Sequence, residues 1–246
     1  MKNIHTILIL STLILTGCYR YDEPEPDNEG KIIVLMYHRI TSREAANLYE
    51  RSIENLKNDF EYLRKHNINL ISFNDLTVIK ESGKMPAGNS AIITFDDGDH
   101  SWFGLVQPLL KEYRYKATFF LWVYMIGRNS FMEWNDVEQM SYYTLEGGIH
   151  PFTFGSHSFS HAYLYTDRSK FQDFNEYNRF LDYEFGESKR IIEQHIPGKV
   201  EVFALPFGDG AGDENIISAA ERNGYKFIRT SIQSTINVPD QDLFQI

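Results

Sequence analysis

The chain has 246 residues, 42% of them hydrophobic and 24% charged, with 34 acidic and 24 basic side chains and a formal charge of −10. That balance excludes a disordered or collagen-like chain, and the length suits one large α/β domain or two small ones. The acidic excess argues against a nucleic-acid partner, because phosphate binding needs a basic face; a neutral or amine-bearing partner fits better.

The N-terminus carries a single charge, Lys2, ahead of an almost wholly apolar run from Ile7 to Leu15. That run is too short to span a bilayer as a helix. With small residues at its end, the stretch 1–17 reads as a secretory signal. It closes on Leu15-Thr16-Gly17-Cys18, which resembles a bacterial lipobox. The resemblance implies cleavage before Cys18 and a lipid on its thiol. The protein would then be held outside the cytoplasm, at the cell envelope, by that lipid alone. Residues 18–30 are dominated by Asp, Glu, Pro and Asn without apolar periodicity, and read as a solvated tether.

The third segment, 31–246, alternates apolar runs with helical patterns. The spacing predicts strands at 31–37, 69–73, 90–95, 117–123, 152–154, 200–205 and 225–229. It predicts helices over 47–66 and near 102–113, 134–144, 170–195 and 213–223. Seven strands separated by helices indicate parallel β–α units. A barrel and an open doubly wound sheet both satisfy that pattern.

The residues best suited to chemistry follow directly after predicted strands: His38, the pair Asp96-Asp97, the pair His157 and His161, and Pro206-Phe207-Gly208. In parallel α/β folds the loops after strand C-termini build the active-site face. Two adjacent carboxylates at a strand end are costly without a cation or hydrogen bonds to offset their repulsion. A histidine pair at i, i+4 suits one face of a helical turn and chelates a metal. Taken singly, Asp-Asp-Gly is more often a turn with solvated acids and a helix cap, and the two histidines fit a surface pair near a helix start as well as a metal site. Together they favour a site of two histidines and one aspartate, whose third-ligand count leaves a position open for water. Neutral imidazole and hard oxygen suit Zn²⁺, with Co²⁺, Ni²⁺ or Fe²⁺ as further candidates.

TFDDG (94–98), HSFSH (157–161) and LPFG (205–208), in that order and each after a strand, resemble the motifs of the polysaccharide deacetylase family, the NodB-homology domain of carbohydrate esterase family 4. LMYHRI at 35–40, KATFFL at 116–121 and MEW at 132–134 agree. The resemblance spans roughly 31–230. It implies a distorted (β/α) barrel of about seven strands and a metal-dependent hydrolase that removes acetyl groups from N-acetylated polysaccharide. It maps the general base to Asp96 and the metal ligands to Asp97, His157 and His161. Two departures stand out. Ala204 takes the place of the arginine that usually opens the third motif and pairs with the base, and no histidine follows His195. Both departures resemble the poly-N-acetylglucosamine deacetylase branch, in which a histidine after the first strand serves as general acid; His38 matches it. The backbone N–H of Phe207 is the expected oxyanion donor. An O-acetyl esterase acting on hemicellulose or peptidoglycan, and a non-catalytic glycan-binding or envelope-assembly protein on the same fold, are the competing readings.

Overall fold

The computed structural model describes residues 30–237 and 244–246. The signal 1–17, Cys18 and the tether up to residue 29 lie outside the described residues. The first half of the chain forms β1 (Ile32–Tyr37), β2 (Arg39–Thr41), β3 (Glu50–Ser52), α1 (Ile53–Lys65), β4 (Asn69–Leu70), α2 (Phe73–Ser82) and β5 (Ser90–Asp97). There follow α3 (Gln107–Tyr113), β6 (Ala117–Leu121), α4 (Trp134–Ser141), β7 (Phe152–Ser156), α5 (Phe174–Asp182), α6 (Ser188–Ile192), β8 (Val202–Ala204), α7 (Glu214–Arg222) and β9 (Phe227–Arg229).

Seven strands make one parallel sheet in the order β1-β5-β6-β7-β8-β9, with β4 paired to the start of β5 on the edge that β6 takes further along. The sheet curls into a half-barrel, as expected for a distorted (β/α) barrel. A register of Tyr37 with Phe95, Asp97 with Leu121, Leu121 with Ser156 and Ala204 with Arg229 brings the strand C-terminal ends to one rim. The residues after β1, β5, β7 and β8 therefore meet there.

Alternation along the strands builds two cores. Ile93, Phe95, Phe119, Leu121, Phe154 and Phe203 pack outward beneath the helices. Their neighbours Ile92, Phe120, Val202, Ala204 and Phe227 face inward and enclose Phe73, Leu76 and Ile79 of α2. The lumen is thus plugged by a helix, and the side chains that continue the inner face toward the rim are Asp96 and Arg229. Between β9 and β1 the sheet is open, and C-terminal chain covers the seam. Ile236 exchanges hydrogen bonds of 2.9 and 3.0 Å with Ile32, while Ile246 N–H donates to Ile228 O at 2.9 Å. Among the described residues no helix is long and apolar enough to cross a membrane.

Local capping explains where the predicted elements move. The helix expected over 47–66 starts at Ile53, because Ser52 Oγ accepts the Asn55 N–H at 3.1 Å as its N-cap. Residues 50–52 instead pair with β2, and Leu48 is wholly exposed rather than on the helix's apolar face. The strand expected over 69–73 ends at Leu70, because Ser72 and Asp75 form a capping box that starts α2. The helix expected over 170–195 is divided between α5 and α6 by a π-helical turn, Tyr183–Glu187.

Candidate active site

The segment Thr94-Phe95-Asp96-Asp97-Gly98 leaves the sheet through two residues with positive φ. Asp97 has φ 90° and Gly98 has φ 108°. A Cβ at position 98 would lie 2.6 Å from Ile126 Cδ1, so the turn requires glycine both for its dihedral and for its space. Asp96 keeps the inward direction of its strand, and Asp97 is turned toward the loop after β7.

That loop, 157–161, is irregular and not the helical turn expected from the i, i+4 spacing. Ser158 and His161 both lie at positive φ, 64° and 63°. Serine hydroxyls replace helical bonding: Ser156 Oγ accepts from Ser158 N–H at 3.1 Å and Ser158 Oγ from His161 N–H at 2.8 Å. Ser160 donates its N–H and its hydroxyl to the two oxygens of buried Glu184, at 2.9 and 2.7 Å. Glu184 lies in the π-helical turn between α5 and α6, a local irregularity frequent at functional sites. Of the seven non-glycine residues with positive φ among those described, four are Asp97, Ser158, His161 and Phe207. Backbone strain is concentrated at this rim, where the fold over-determines it.

The result is a triangle of donor atoms. His157 Nε2 lies 3.1 Å from His161 Nε2 and 3.5 Å from Asp97 Oδ1, and His161 Nε2 lies 3.4 Å from the same oxygen. A tetrahedral ion with bonds of about 2.0–2.1 Å holds its donors about 3.3 Å apart. The Nδ1 of His157 is 2.9 Å from Ala204 O, so Nδ1–H donates to that carbonyl and Nε2 presents its lone pair to the triangle. Burial pushes His157 down to about 4, which keeps it neutral and able to ligate. Burial alone would raise the Asp97 carboxyl; the hydrogen bond from His161 and the nearby His157 and His38 outweigh it and hold Asp97 below the ordinary carboxylate range. Asp97, His157 and His161 therefore fit one divalent cation. His161 is further fixed by the Trp122 ring, stacked at 4.6 Å, and by the Phe207 ring, edge-on at 4.6 Å.

Asp96 stands beside this triangle, its Oδ2 3.9 Å from His157 Nε2. It is 2% exposed and carries a second feature that sequence reasoning missed: Arg229 Nη2 donates to Asp96 Oδ2 from the end of β9. Arg229 is itself 3% exposed, with Nη1 2.9 Å from Met36 Sδ and its guanidinium over the Phe120 ring at 5.4 Å. Phe120 has room there because Gly155 opposite it has no side chain; a Cβ would lie 2.4 Å from the Phe120 ring. The arginine absent at position 204 is thus replaced by one from the next strand, directly in register with Ala204. Its signal in the sequence is a charged residue closing the apolar run Phe227-Ile228-Arg229. Asp96 Oδ1 is buried and has no hydrogen-bond partner in the protein.

His38 is anchored through its carbonyl, which accepts from Trp102 Nε1 at 2.7 Å, and its ring meets Tyr49 edge-on at 5.3 Å. It shares a cleft of about 270 Å³ with Asp97 and Asp99. Phe207 has φ 58° in a turn closed by Gly208 N–H to Leu205 O and Asp209 N–H to Pro206 O, so its own N–H lies outside the turn's bonding. Its half-exposed ring stacks on Tyr163 at 4.1 Å. His100 and His195 lie apart from the site, paired with Asp136 at 3.5 Å and Glu138 at 2.7 Å.

Comparison with known proteins agrees with this architecture. The poly-β-1,6-N-acetyl-D-glucosamine N-deacetylase of Staphylococcus epidermidis is 26% identical over 232 residues, covering 89% of this chain and 78% of that protein. The structure of the Streptococcus pyogenes deacetylase PplD in complex with acetate superposes with a TM-score of 0.73 at 19% identity, over 88% of this chain and 90% of that one. IcaB from Ammonifex degensii gives a TM-score of 0.73 at 20% identity, over 89% and 90%. Residues 83–228, which contain both aspartates, both histidines and the Leu205–Gly208 turn, match the family description Polysaccharide deacetylase. On that match over more than half its length, the chain belongs to the polysaccharide deacetylase family.

Proposed function

We propose that this protein is a metal-dependent hydrolase that removes acetyl groups from the amides of an N-acetylglucosamine polymer. The observation that carries the reading is the donor triangle of Asp97, His157 and His161 with the arginine-held carboxylate of Asp96 beside it. The name of the Staphylococcus epidermidis relative supports the substrate class.

A divalent ion held by those three side chains, with Zn²⁺ the best match to the donor set, would supply Lewis-acid polarisation and a more acidic water. The rest is the work of the chain. Arg229 fixes the carboxylate of Asp96, the general base for the attacking water, beside the donor triangle. The Phe207 N–H, pinned by its left-handed turn, donates to the oxygen that gains charge as the carbonyl becomes tetrahedral. His38, at the cleft shared with Asp97, gives its proton to the departing sugar nitrogen. An amine leaves poorly unless protonated, so this acid matters more for amides than for esters. The lipobox-like Leu15-Thr16-Gly17-Cys18 supports tethering at the envelope through a lipid on Cys18; loss of radiolabelled palmitate from a Cys18→Ser protein tests that part.

Acetate release from N-acetylglucosamine oligomers and from O-acetylated xylan, with metal content measured in parallel, tests the function. Release is expected from the amide substrate, to vanish on chelation and return with Zn²⁺. Full release by Asp96→Asn, or release from the ester alone, overturns the assignment.

A further inference from the structure

A second cavity, of about 430 Å³, lies between β1 and α1 and adjoins the catalytic cleft, with which it shares His38, Tyr49 and Glu50 along its lining. Its volume falls within the roughly 300–1,000 Å³ of small-ligand sites. Four of the fourteen large apolar side chains exposed among the described residues line it: Met36, Leu48, Tyr49 and Tyr62. Such a concentration marks a binding surface. Its polar wall is rigid. Arg51 Nε and Nη2 meet the two oxygens of Asp59 at 2.5 Å, and the Tyr37 hydroxyl donates to Asp59 Oδ2 at 3.1 Å. Its charges cancel locally, Arg51 against Asp59, Arg43 against Glu50 at 3.6 Å, and Arg39 between Glu50 at 3.8 Å and Asp99 at 3.7 Å.

Exposed tyrosines beside a planar guanidinium–carboxylate pair suit a neutral ring with apolar C–H faces and equatorial hydroxyls, and offer nothing to a polyanion. On the other flank of the metal ligands in strand order, the half-exposed pair Tyr163 and Phe207 forms a second aromatic bank. We infer that the β1–α1 groove is an additional sugar-binding subsite, which receives neighbouring residues of the same glycan strand whose acetyl group reaches Asp96. The groove thus adds contacts for a strand longer than a dimer, an inference that rests on the deacetylase reading above.

The test compares the kcat/KM for the dimer and the hexamer of N-acetylglucosamine, and measures hexamer binding directly by calorimetry. The wild-type protein is expected to favour the hexamer, and Tyr62→Ala to lower the hexamer-to-dimer ratio about tenfold, with weaker hexamer binding by a similar factor. Tyr62→Trp, which keeps an aromatic surface, is expected to restore the ratio. Equal kcat/KM values for the two lengths in the wild type, or a Tyr62→Ala protein that keeps the wild-type ratio, overturns the subsite. Absence of turnover on either length would instead count against deacetylation, and calorimetry with the hexamer would still decide the subsite: tighter binding in the wild type than in Tyr62→Ala supports it, and equal binding or none sinks it.

Discussion

Replacing Arg229 by methionine removes the guanidinium that meets Asp96 while roughly keeping the volume of the side chain. Both partners are almost completely buried, and the other oxygen of Asp96 has no hydrogen bond in the protein. The carboxylate is then left without any bonded partner in the protein. Breaking a buried pair from one side costs about 3–5 kcal/mol, because the remaining charge is uncompensated. At about 2–4 °C per kcal/mol for a domain of this size, the melting temperature falls by roughly 6–20 °C. Adding Asp96→Asn to Arg229→Met removes the stranded charge and recovers most of that loss, although Asp96→Asn alone abolishes catalysis. Acetate release by Arg229→Met falls about 10²–10⁴-fold, the usual contribution of a positioned base. Metal content stays at the wild-type level, since no atom of Arg229 touches the donor triangle. Calorimetric melts, metal analysis and acetate assays on the four proteins separate these effects. A single variant that melts within a degree or two of wild type and keeps its rate would refute the pairing as the support of the base.

Three further outcomes follow from the same geometry. His157→Asn removes a buried imidazole nitrogen from the triangle, and equilibrium dialysis is expected to show metal occupancy lost rather than reduced. Glu184→Ala unties Ser160 and frees the loop that presents His161; metal affinity is expected to drop about 10–100-fold, as for other partners of ligating residues, with Glu184→Gln closer to wild type. Metal-free protein should lose stability as the pH falls from about 6.5, where an unfolded imidazole titrates, to about 4, where His157 titrates in the fold. In that window the unfolded chain binds the extra proton, so each step down in pH favours unfolding. Denaturant melts that are flat across that range would contradict the burial of His157 as a neutral ring.

The motif residues were legible because each follows a strong apolar strand, and parallel β–α units send strand ends to one rim. Asp96, Asp97, His157 and His161 converge there, as do His38 and Phe207 at its borders. Arg229 was not legible, since it lies 133 residues from Asp96 in sequence and no local pattern links them. Only the pairing of β8 with β9 shows that it stands next to the position that lacks an arginine. The histidine loop was legible in composition but not in conformation: the i, i+4 spacing matched a helical turn, whereas serine hydroxyls and two left-handed residues set it. The same holds for the start of α1, where the apolar periodicity ran past Ser52 but the cap at Ser52 decided the boundary.

Arg229 lies on the last strand of the sheet, whereas every candidate metal ligand lies before residue 162. In order of synthesis the ion-binding residues are therefore complete well before the base acquires its counter-charge. A chain stopped ahead of Phe227 would retain the signature motifs, yet it would lack the guanidinium that meets Asp96. Support of the base is thereby tied to completion of the barrel wall, and a truncated copy in a genome would look intact by its motifs while lacking that support.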